Sequence, residues 1–336
     1  MGGLSRRKAW LPAILGALLC VTGCRARSAS PDLATLSLER TIPLAGVAGR
    51  IDHLAYDTRR GRVFIAELGN GSVEGIDLAT GRSIGRIGGL LEPQGLAFIE
   101  DRDELAVASG GDGTVRFYRA ADLAPAGVMQ VGPDPDNLRV DPASGRLVVG
   151  FGAGALAVID PATRRVVATT RLPAHPEGFQ IDAGRAYVNL PDAGGIAAVD
   201  LASGRTLATW RNPGAKWNFP LALEPAGSLV AVVYRFPARL VLWERASGTV
   251  NQNLPTCGDA DDAFFDGPRR RLYVICGAGS VETFVRAEGG YARQGLTRTR
   301  KGARTGLYVP QIDRLLVAAR ADGAAGAALL VYRPAP

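Results

Sequence analysis

The sequence predicts an all-β fold assembled from repeats, and three observations carry that prediction. An acidic residue that ends a short apolar run recurs at Asp57, Glu100, Asp141, Asp182, Glu224 and Asp266, with Pro310 in the seventh place, giving spacings of 43, 41, 41, 42, 42 and 44 residues. Each period holds about four short β-rich runs separated by Gly-, Asn- or Asp-containing turns. One turn recurs almost in wording: Asp77-Leu-Ala-Thr-Gly-Arg82, Asp160-Pro-Ala-Thr-Arg-Arg165, Asp200-Leu-Ala-Ser-Gly-Arg205 and, more loosely, Glu244-Arg-Ala-Ser-Gly248. A steady period near forty residues with four strands per period is the pattern of a propeller blade, because one small meander cannot bury both faces and must stack on neighbours of its own kind. The expectation is therefore a seven-bladed β-propeller of four-stranded antiparallel blades over residues 34–336.

The first full unit shows the logic. His53–Tyr56 is an inner strand, Thr58–Gly61 a turn, and Arg62–Glu67 a second strand with Val-Phe-Ile-Ala at its centre. Asn70-Gly71 reads as a short hairpin whose two residues both tolerate positive φ. Val73–Leu78 and Arg82–Ile87 complete the unit. Units two to six follow as Pro93–Val131, Pro135–Leu172, Pro176–Asn212, Asn218–Leu254 and Cys257–Leu296. Gly110-Gly-Asp-Gly113 is the hairpin of unit two. Gly150-Phe-Gly-Ala-Gly154 is that of unit three: it has the glycines of a dinucleotide loop but no helix after it. The seventh unit has strands near Leu307–Val309, Arg314–Ala319 and Ala328–Arg333 and then stops. Leu36–Leu44 precedes the first unit and is expected to supply the missing outer strand, which closes the ring and removes an open edge.

The N-terminus reads as an export signal, residues 1–23. Arg6-Arg7-Lys8 is a basic n-region, and Ala9–Leu19 is apolar but too short to span a bilayer. Val21-Thr22-Gly23-Cys24 is similar to the bacterial lipobox, which implies cleavage before Cys24 and a lipid on its thiol; the other reading is an ordinary signal peptide with an incidental cysteine. Residues 24–33 would then be the lipidated cysteine and a small, polar tether. Arg25 after the lipidated cysteine favours the outer membrane where the cell has one. Removal of three basic residues lowers the formal charge from +7 to +4, which without a basic stripe gives no ground for a nucleic-acid partner. A monomer held at the membrane surface by its lipid, facing the periplasm or cell exterior, is expected.

Of four cysteines, Cys20 leaves with the signal and Cys24 carries the lipid. Cys257 precedes the first strand of unit six and Cys276 ends its second. Antiparallel pairing brings these ends together, and export makes the compartment oxidising, so a disulfide is expected; two buried thiols are the alternative. With no Cys-x-x-Cys and only His53 and His175 in the chain, a cysteine metal site has little support.

The residues just before each inner strand gather at one mouth of a propeller's channel. Round the ring these are Asp52 and His53, Gln94, Asp136 and Asn137, His175 and Glu177, Asn218, Asp259 with Asp261 and Asp262, and Arg304 with Thr305. Convergent polar groups at a concave mouth are a ligand-site hypothesis; capping of turns and contact with channel water are the structural alternative. Asp52, His53, Gln94, Asn137, Glu177, Asn218, Asp261 and Arg304 are the candidate ligand-binding set. His53, Asn137, Glu177 and Asp261 are the candidate ligands of a divalent cation. Because Asp261 and Asp262 alternate along a strand, only one is required to face the channel. Trp210, Trp217, Trp243 and Phe219 form either an aromatic patch or blade core. The stretch Gln294–Arg304 is a basic connector.

Arg62-Val-Phe-Ile-Ala66 through Asp77-Leu-Ala-Thr-Gly-Arg82, Ala186-Tyr-Val-Asn189 through Asp200-Leu-Ala-Ser-Gly-Arg205, and Arg271-Leu-Tyr-Val-Ile-Cys276 resemble the bacterial YVTN-repeat (YncE-like) seven-bladed propellers. The resemblance covers Leu36–Arg333, although no unit contains a literal Tyr-Val-Thr-Asn. It implies the fold firmly and a binding-scaffold or accessory role more loosely. The chain lacks His-Glu-x-x-His, Gly-x-Ser-x-Gly, Cys-x-x-Cys-His and a Walker loop. The leading expectation is a non-enzymatic lipoprotein scaffold for a protein or small ligand, with no certain cofactor. The alternatives are a metal-dependent, lactonase-like hydrolase at the channel mouth, and an accessory propeller for an extracytoplasmic redox enzyme.

Overall fold

The computed structural model describes residues 1–3 and 34–336; the export signal beyond residue 3, Cys20, Cys24 and the whole tether lie outside the described residues. The chain from residue 34 onward forms seven four-stranded antiparallel sheets, the blades of a propeller. Blade 1 is Leu54–Asp57, Arg62–Glu67, Ser72–Asp77 and Arg82–Ile87. Blades 2 to 6 repeat this meander, their inner strands being Pro93–Ile99, Leu138–Val140, Phe179–Asp182, Lys216–Leu223 and Ala260–Asp266. Blade 7 combines Thr305–Val309, Arg314–Ala319 and Ala328–Pro334 with Leu36–Pro43 as its outermost strand. The predicted closure is therefore present, with Leu36 opposite Pro334 and Pro43 opposite Ala328.

The core is not central. Among the described residues it divides into seven apolar layers, each filling one gap between neighbouring blades. The second and third strands of a blade face such a layer on both sides, so Arg62–Glu67, Glu104–Ser109 and Arg271–Cys276 are buried almost throughout and show no polar alternation. Outer strands are exposed almost throughout, as in Pro125–Gln130 and Arg205–Arg211. Each outer-strand pairing also carries a register shift, for example between Gly75 and Ile76 and between Ala198 and Val199. Such bulges increase local twist and make an outer edge a poor template for further pairing.

The turns behave as their sequences require. In Asp77–Arg82 the Asp77 carboxylate accepts from the Thr80 backbone N–H at 2.8 Å and its hydroxyl at 2.9 Å, and Gly81 sits at φ 69°. Asp200 does the same with Ser203 at 2.7 and 2.6 Å. In unit three Arg164 occupies the left-handed position at φ 57°. Its guanidinium lies 3.7 Å from the centre of the Phe117 ring and bonds Glu104 at 2.6 and 2.7 Å, contacts to the preceding blade that offset the backbone cost. One expectation needs correction. Asn70-Gly71 is not a two-residue hairpin turn with two positive-φ residues: Leu68–Asn70 is a turn of 3-10 helix, and Gly71 alone takes φ 63°. A four-residue loop of this kind needs the left-handed conformation only at its last position.

Blades are tied by charge as well as by apolar layers. Arg60 bonds Asp57 in its own turn at 3.0 Å and Asp103 of the next blade at 2.6 Å. Arg269 repeats this between Asp266 at 3.1 Å and Asp313 at 2.7 Å. At the closure Glu39 is clasped by Arg314 and Arg333, the latter at 2.7 Å, which holds its carboxyl below the usual range. Cys257 and Cys276 form a disulfide, Cα–Cα 5.9 Å, settling the alternative of free thiols. No helix among the described residues is long and apolar enough to cross a membrane.

Three outcomes follow from this architecture. Ile42, 2% exposed in the layer between blades 7 and 1, should cost about 2–5 kcal/mol when changed to Ala, read in urea as a shift of the whole transition; an isolated early phase would mean the closing strand frays independently. Replacing both Cys257 and Cys276 by Ala should cost on the order of 3 kcal/mol in the loop-entropy account of a 19-residue separation, and an unchanged urea midpoint would refute it. Glu67 is fully buried, bonded by Ser72 and 3.3 Å from Arg86, and burial raises its carboxyl from 4.5 to about 7. The folded state thus holds this proton more tightly than the unfolded chain, so its destabilising effect is absent below about pH 4.5 and grows as pH rises through 7. Glu67→Gln should therefore gain stability relative to wild type by roughly 2–3 kcal/mol between pH 5 and pH 8; a difference constant with pH would refute the assignment.

Candidate functional site

The inner strands run alongside one another down the channel, and the residues that precede them form one mouth. Close approach of the inner strands sets its geometry. A Cβ on Gly95 would lie 2.0 Å from the Asp136 carbonyl oxygen of blade 3, and one on Gly178 would lie 2.3 Å from the Phe219 carbonyl oxygen of blade 5. Glycine after Gln94 and Glu177 thus lets neighbouring inner strands touch backbone to backbone, which holds the preceding polar residues on a narrow ring.

The mouth cavity is about 190 Å³, and opposite charges divide its wall into sectors. One sector is a chain of ion pairs across blades 5, 6 and 7. Arg235 reaches Asp261 at 2.6 Å and Asp259 at 3.5 Å, and Arg304 reaches Asp261 at 2.8 Å and Asp259 at 3.1 Å. Arg235 also lies 3.9 Å from the centre of the Phe219 ring, so its guanidinium is held on three sides. A second sector is Arg50 with Asp52 at 2.8 Å. The third joins blades 3 and 4: a ligand atom from each of Asp136, His175 and Glu177 lies within 4.8 Å of the others. Asp136 opposite its Nε2, with help from the Gly152 carbonyl, holds the His175 imidazole up to about 9, and burial pushes Glu177 up to about 7.

Below the mouth the channel narrows to a throat of about 20 Å³, roughly the space of one water. Arg139 stands there, half-buried, its Nη1 bonded to the Leu138 carbonyl at 2.7 Å and its Nη2 to Asn137 at 3.2 Å. Desolvation pulls its pKa down against Asp262 and Asp136. Beyond the throat the other mouth widens to about 430 Å³ and is lined more by Tyr56, Phe98, Phe264 and Tyr308 than by charge.

The predicted site residues distribute unevenly over this frame. Gln94, Glu177, Asp261 and Arg304 line the mouth cavity. Asp52, His53 and Asn137 line the throat. Asn218 lies off both linings; its fully buried amide donates to Asn189 at 2.9 Å and to the Gly195 carbonyl at 3.0 Å and accepts from Asn212 at 3.0 Å. Of the four predicted metal ligands, Glu177 alone belongs to the compact group. His53 sits 3.7 Å from Asp52 and 3.9 Å from Asp262, Asn137 accepts from Arg139, and Asp261 is engaged by two arginines. Asp261 and Asp262 both reach the throat, because a register shift between Ala260 and Asp262 breaks the alternation expected of a regular strand. Asp262 there accepts from the Gly306 N–H at 2.8 Å, and burial raises its carboxyl to about 7.

Sequence reasoning left Arg50, Arg139 and Arg235 out of the site. Arg50 stands two residues before Asp52 and was within reach of a positional argument. Arg235 arrives from the end of a second strand, Leu229–Phe236, and no motif marks it. Among the tryptophans, Trp210 and Trp243 stack at 5.7 Å in the layer between blades 4 and 5. Trp217 is 52% exposed and pairs with Phe236, 64% exposed, at 6.0 Å. These two sit beside the mouth, since Phe219 and Arg235 line it. In the basic connector, Arg304 belongs to the mouth while Arg300 bonds the Gly326 carbonyl at 2.7 Å.

No protein-family model matches the chain, and no curated protein does. Solved structures match in fold. A chain of the mitotic checkpoint complex crystal structure aligns with a TM-score of 0.75 at 14% identity, covering 97% of this chain and 99% of its own. The U3-55K structure gives 0.76 at 11% identity, with 91% and 100% covered. Kuenenia stuttgartiensis hydrazine synthase gives 0.69 at 18% identity, with 81% and 94% covered. At such identities the likeness establishes the seven-bladed propeller and nothing narrower.

Proposed function

We propose that this chain is an exported lipoprotein of the YVTN-repeat kind whose ring acts as a non-enzymatic binding scaffold, presenting the charged mouth to a protein or small ligand outside the cytoplasm. The observation that carries the reading is the wall Arg235–Asp261–Arg304–Asp259, fixed by mutual ion pairs and flanked by the exposed Trp217–Phe236 pair. Preorganised charge beside an exposed aromatic pair is the composition of a recognition surface: the aromatic pair supplies apolar contact area at little entropy, and fixed charges select the partner. The lipobox-like Val21-Thr22-Gly23-Cys24 supports anchoring at a bacterial membrane, the outer one where there are two. The matched propeller in the mitotic checkpoint complex belongs to a protein assembly, which supports a scaffold role by analogy of fold.

Site-specific photo-crosslinking in the native membrane tests this. A crosslinker at position 217 or 236 should give a discrete adduct, and one at Val166, exposed on an outer strand, should not. Adducts as strong from Val166 as from 217 and 236, or from none of the three, would refute the mouth as the binding face. Cys24→Ser should move the chain from the membrane to the soluble fraction; unchanged membrane retention would refute the lipid anchor.

A further inference from the structure

We infer that Asp136, His175 and Glu177 form a binding site for one first-row divalent transition cation, of the zinc or manganese class, on the wall of the charged mouth. His175 Nδ1 lies 2.7 Å from the Gly152 carbonyl oxygen. A carbonyl only accepts, so Nδ1 carries hydrogen, and in the neutral ring the lone pair is on Nε2. Nε2 points to Asp136 Oδ2 at 4.0 Å, beyond hydrogen-bond reach. A backbone carbonyl that fixes the tautomer of an imidazole whose other nitrogen faces carboxylates is the outer-shell arrangement of histidine metal ligands.

The carboxylates give the second, independent observation. Asp136 is 8% exposed and Glu177 half-buried, yet among the described residues neither side chain accepts a hydrogen bond. The arginines nearest in charge are directed elsewhere, Arg50 to Asp52 at 2.8 Å and Arg235 to Asp261 at 2.6 Å. Asp136, nine-tenths buried and without a donor, is costly unless something positive stands beside it. The backbone holds both in place: Asp136 N–H bonds the Gly150 carbonyl at 3.0 Å, and Glu177 N–H bonds that of Asn189 at 3.0 Å.

The donor set selects the ion. One imidazole nitrogen with two carboxylates suits zinc, manganese or iron(II), whereas calcium takes six to eight oxygens and magnesium keeps its waters. The 4.0 Å gap from Nε2 to Asp136 compares with roughly 3.4 Å along a tetrahedral edge at zinc bond lengths, so a small side-chain rotation closes the set. Three protein ligands leave coordination positions facing the mouth cavity, where a donor atom of a bound ligand fits. The set shares only Glu177 with the ligands expected from sequence. The inference stands apart from the scaffold reading, because metal binding is measured on the chain alone and partner binding in the membrane.

The test is equilibrium dialysis of the full-length chain in detergent, stripped with chelator, against Zn²⁺, Mn²⁺, Ca²⁺ and Mg²⁺ singly. One equivalent of Zn²⁺ or Mn²⁺ should bind and neither Ca²⁺ nor Mg²⁺ compete. Asp136→Asn, His175→Asn and Glu177→Gln should each weaken binding by at least the roughly 10–100-fold that outer-shell changes cost, while His53→Asn leaves it unchanged. A readout on the unsubstituted chain covers variants that fail to fold: with Cu²⁺ as probe, pulsed electron paramagnetic resonance should show one coordinated imidazole. No stoichiometric binding, binding that survives all three substitutions, binding lost in His53→Asn, or no imidazole coupling would each overturn the site.

Discussion

The structure depends on one pairing between residues nearly three hundred positions apart: Leu36–Pro43 against Ala328–Pro334. A propeller has no central core, and each blade is stable only between two neighbours. Without the closing strand, blade 7 would expose an open three-stranded edge, and the layer around Ile42, Leu44, Val47 and Leu329 would lose one wall. Closure adds a seventh interface to the six of an open row, so every blade has a neighbour on both sides. The clasp of Glu39 by Arg314 and Arg333, and that of the Leu78 and Ala79 carbonyls by Arg40 at 3.0 and 3.1 Å, lock the strand to blades 7 and 1.

The same cycle makes the mouth. Inner strands converge so tightly that glycine is required where they touch, at Gly95 and Gly178, and the residues just before them are driven together whatever their charge. Asp52, Asp136, Glu177, Asp261 and Asp262 meet Arg50, Arg139, Arg235 and Arg304 in a narrow, partly dry space. There desolvation competes with pairing. It wins at Glu177 and Asp262, which burial raises to about 7, and it draws Arg139 down. A channel blocked at the throat by such groups is a pair of separate concave sites, one charged and one of mixed aromatic and polar lining, and not a pore.

The repeat was legible because each blade solves the same problem with the same chemistry. The Asp-x-x-Thr/Ser-Gly turn, the four β-rich runs and the incomplete seventh unit all survive as structure. The disulfide was legible because two cysteines at opposite ends of one hairpin have a defined geometry. The site was legible only as a list of positions. Asn218 occupies such a position yet turns its amide to Asn189, Gly195 and Asn212. Arg235 is in the site from a second strand, where nothing in the sequence marks it. Asp262 joins Asp261 in the throat because of a bulge that strand alternation does not foresee.

By itself, then, the sequence determined the number of blades, the strands within them, the turn chemistry and the closure. All of these follow from local propensity and from a period that recurs whatever surrounds it. Tertiary structure alone decided which polar residues meet. Rotation between blades and contacts across the channel put Asp136 beside His175 and Glu177, gave Asp261 to two arginines, and left His53 with Asp52 and Asp262. Most of those distances join residues from different blades, and those partners are set by the angle and depth at which inner strands pack, quantities that no run of adjacent residues encodes.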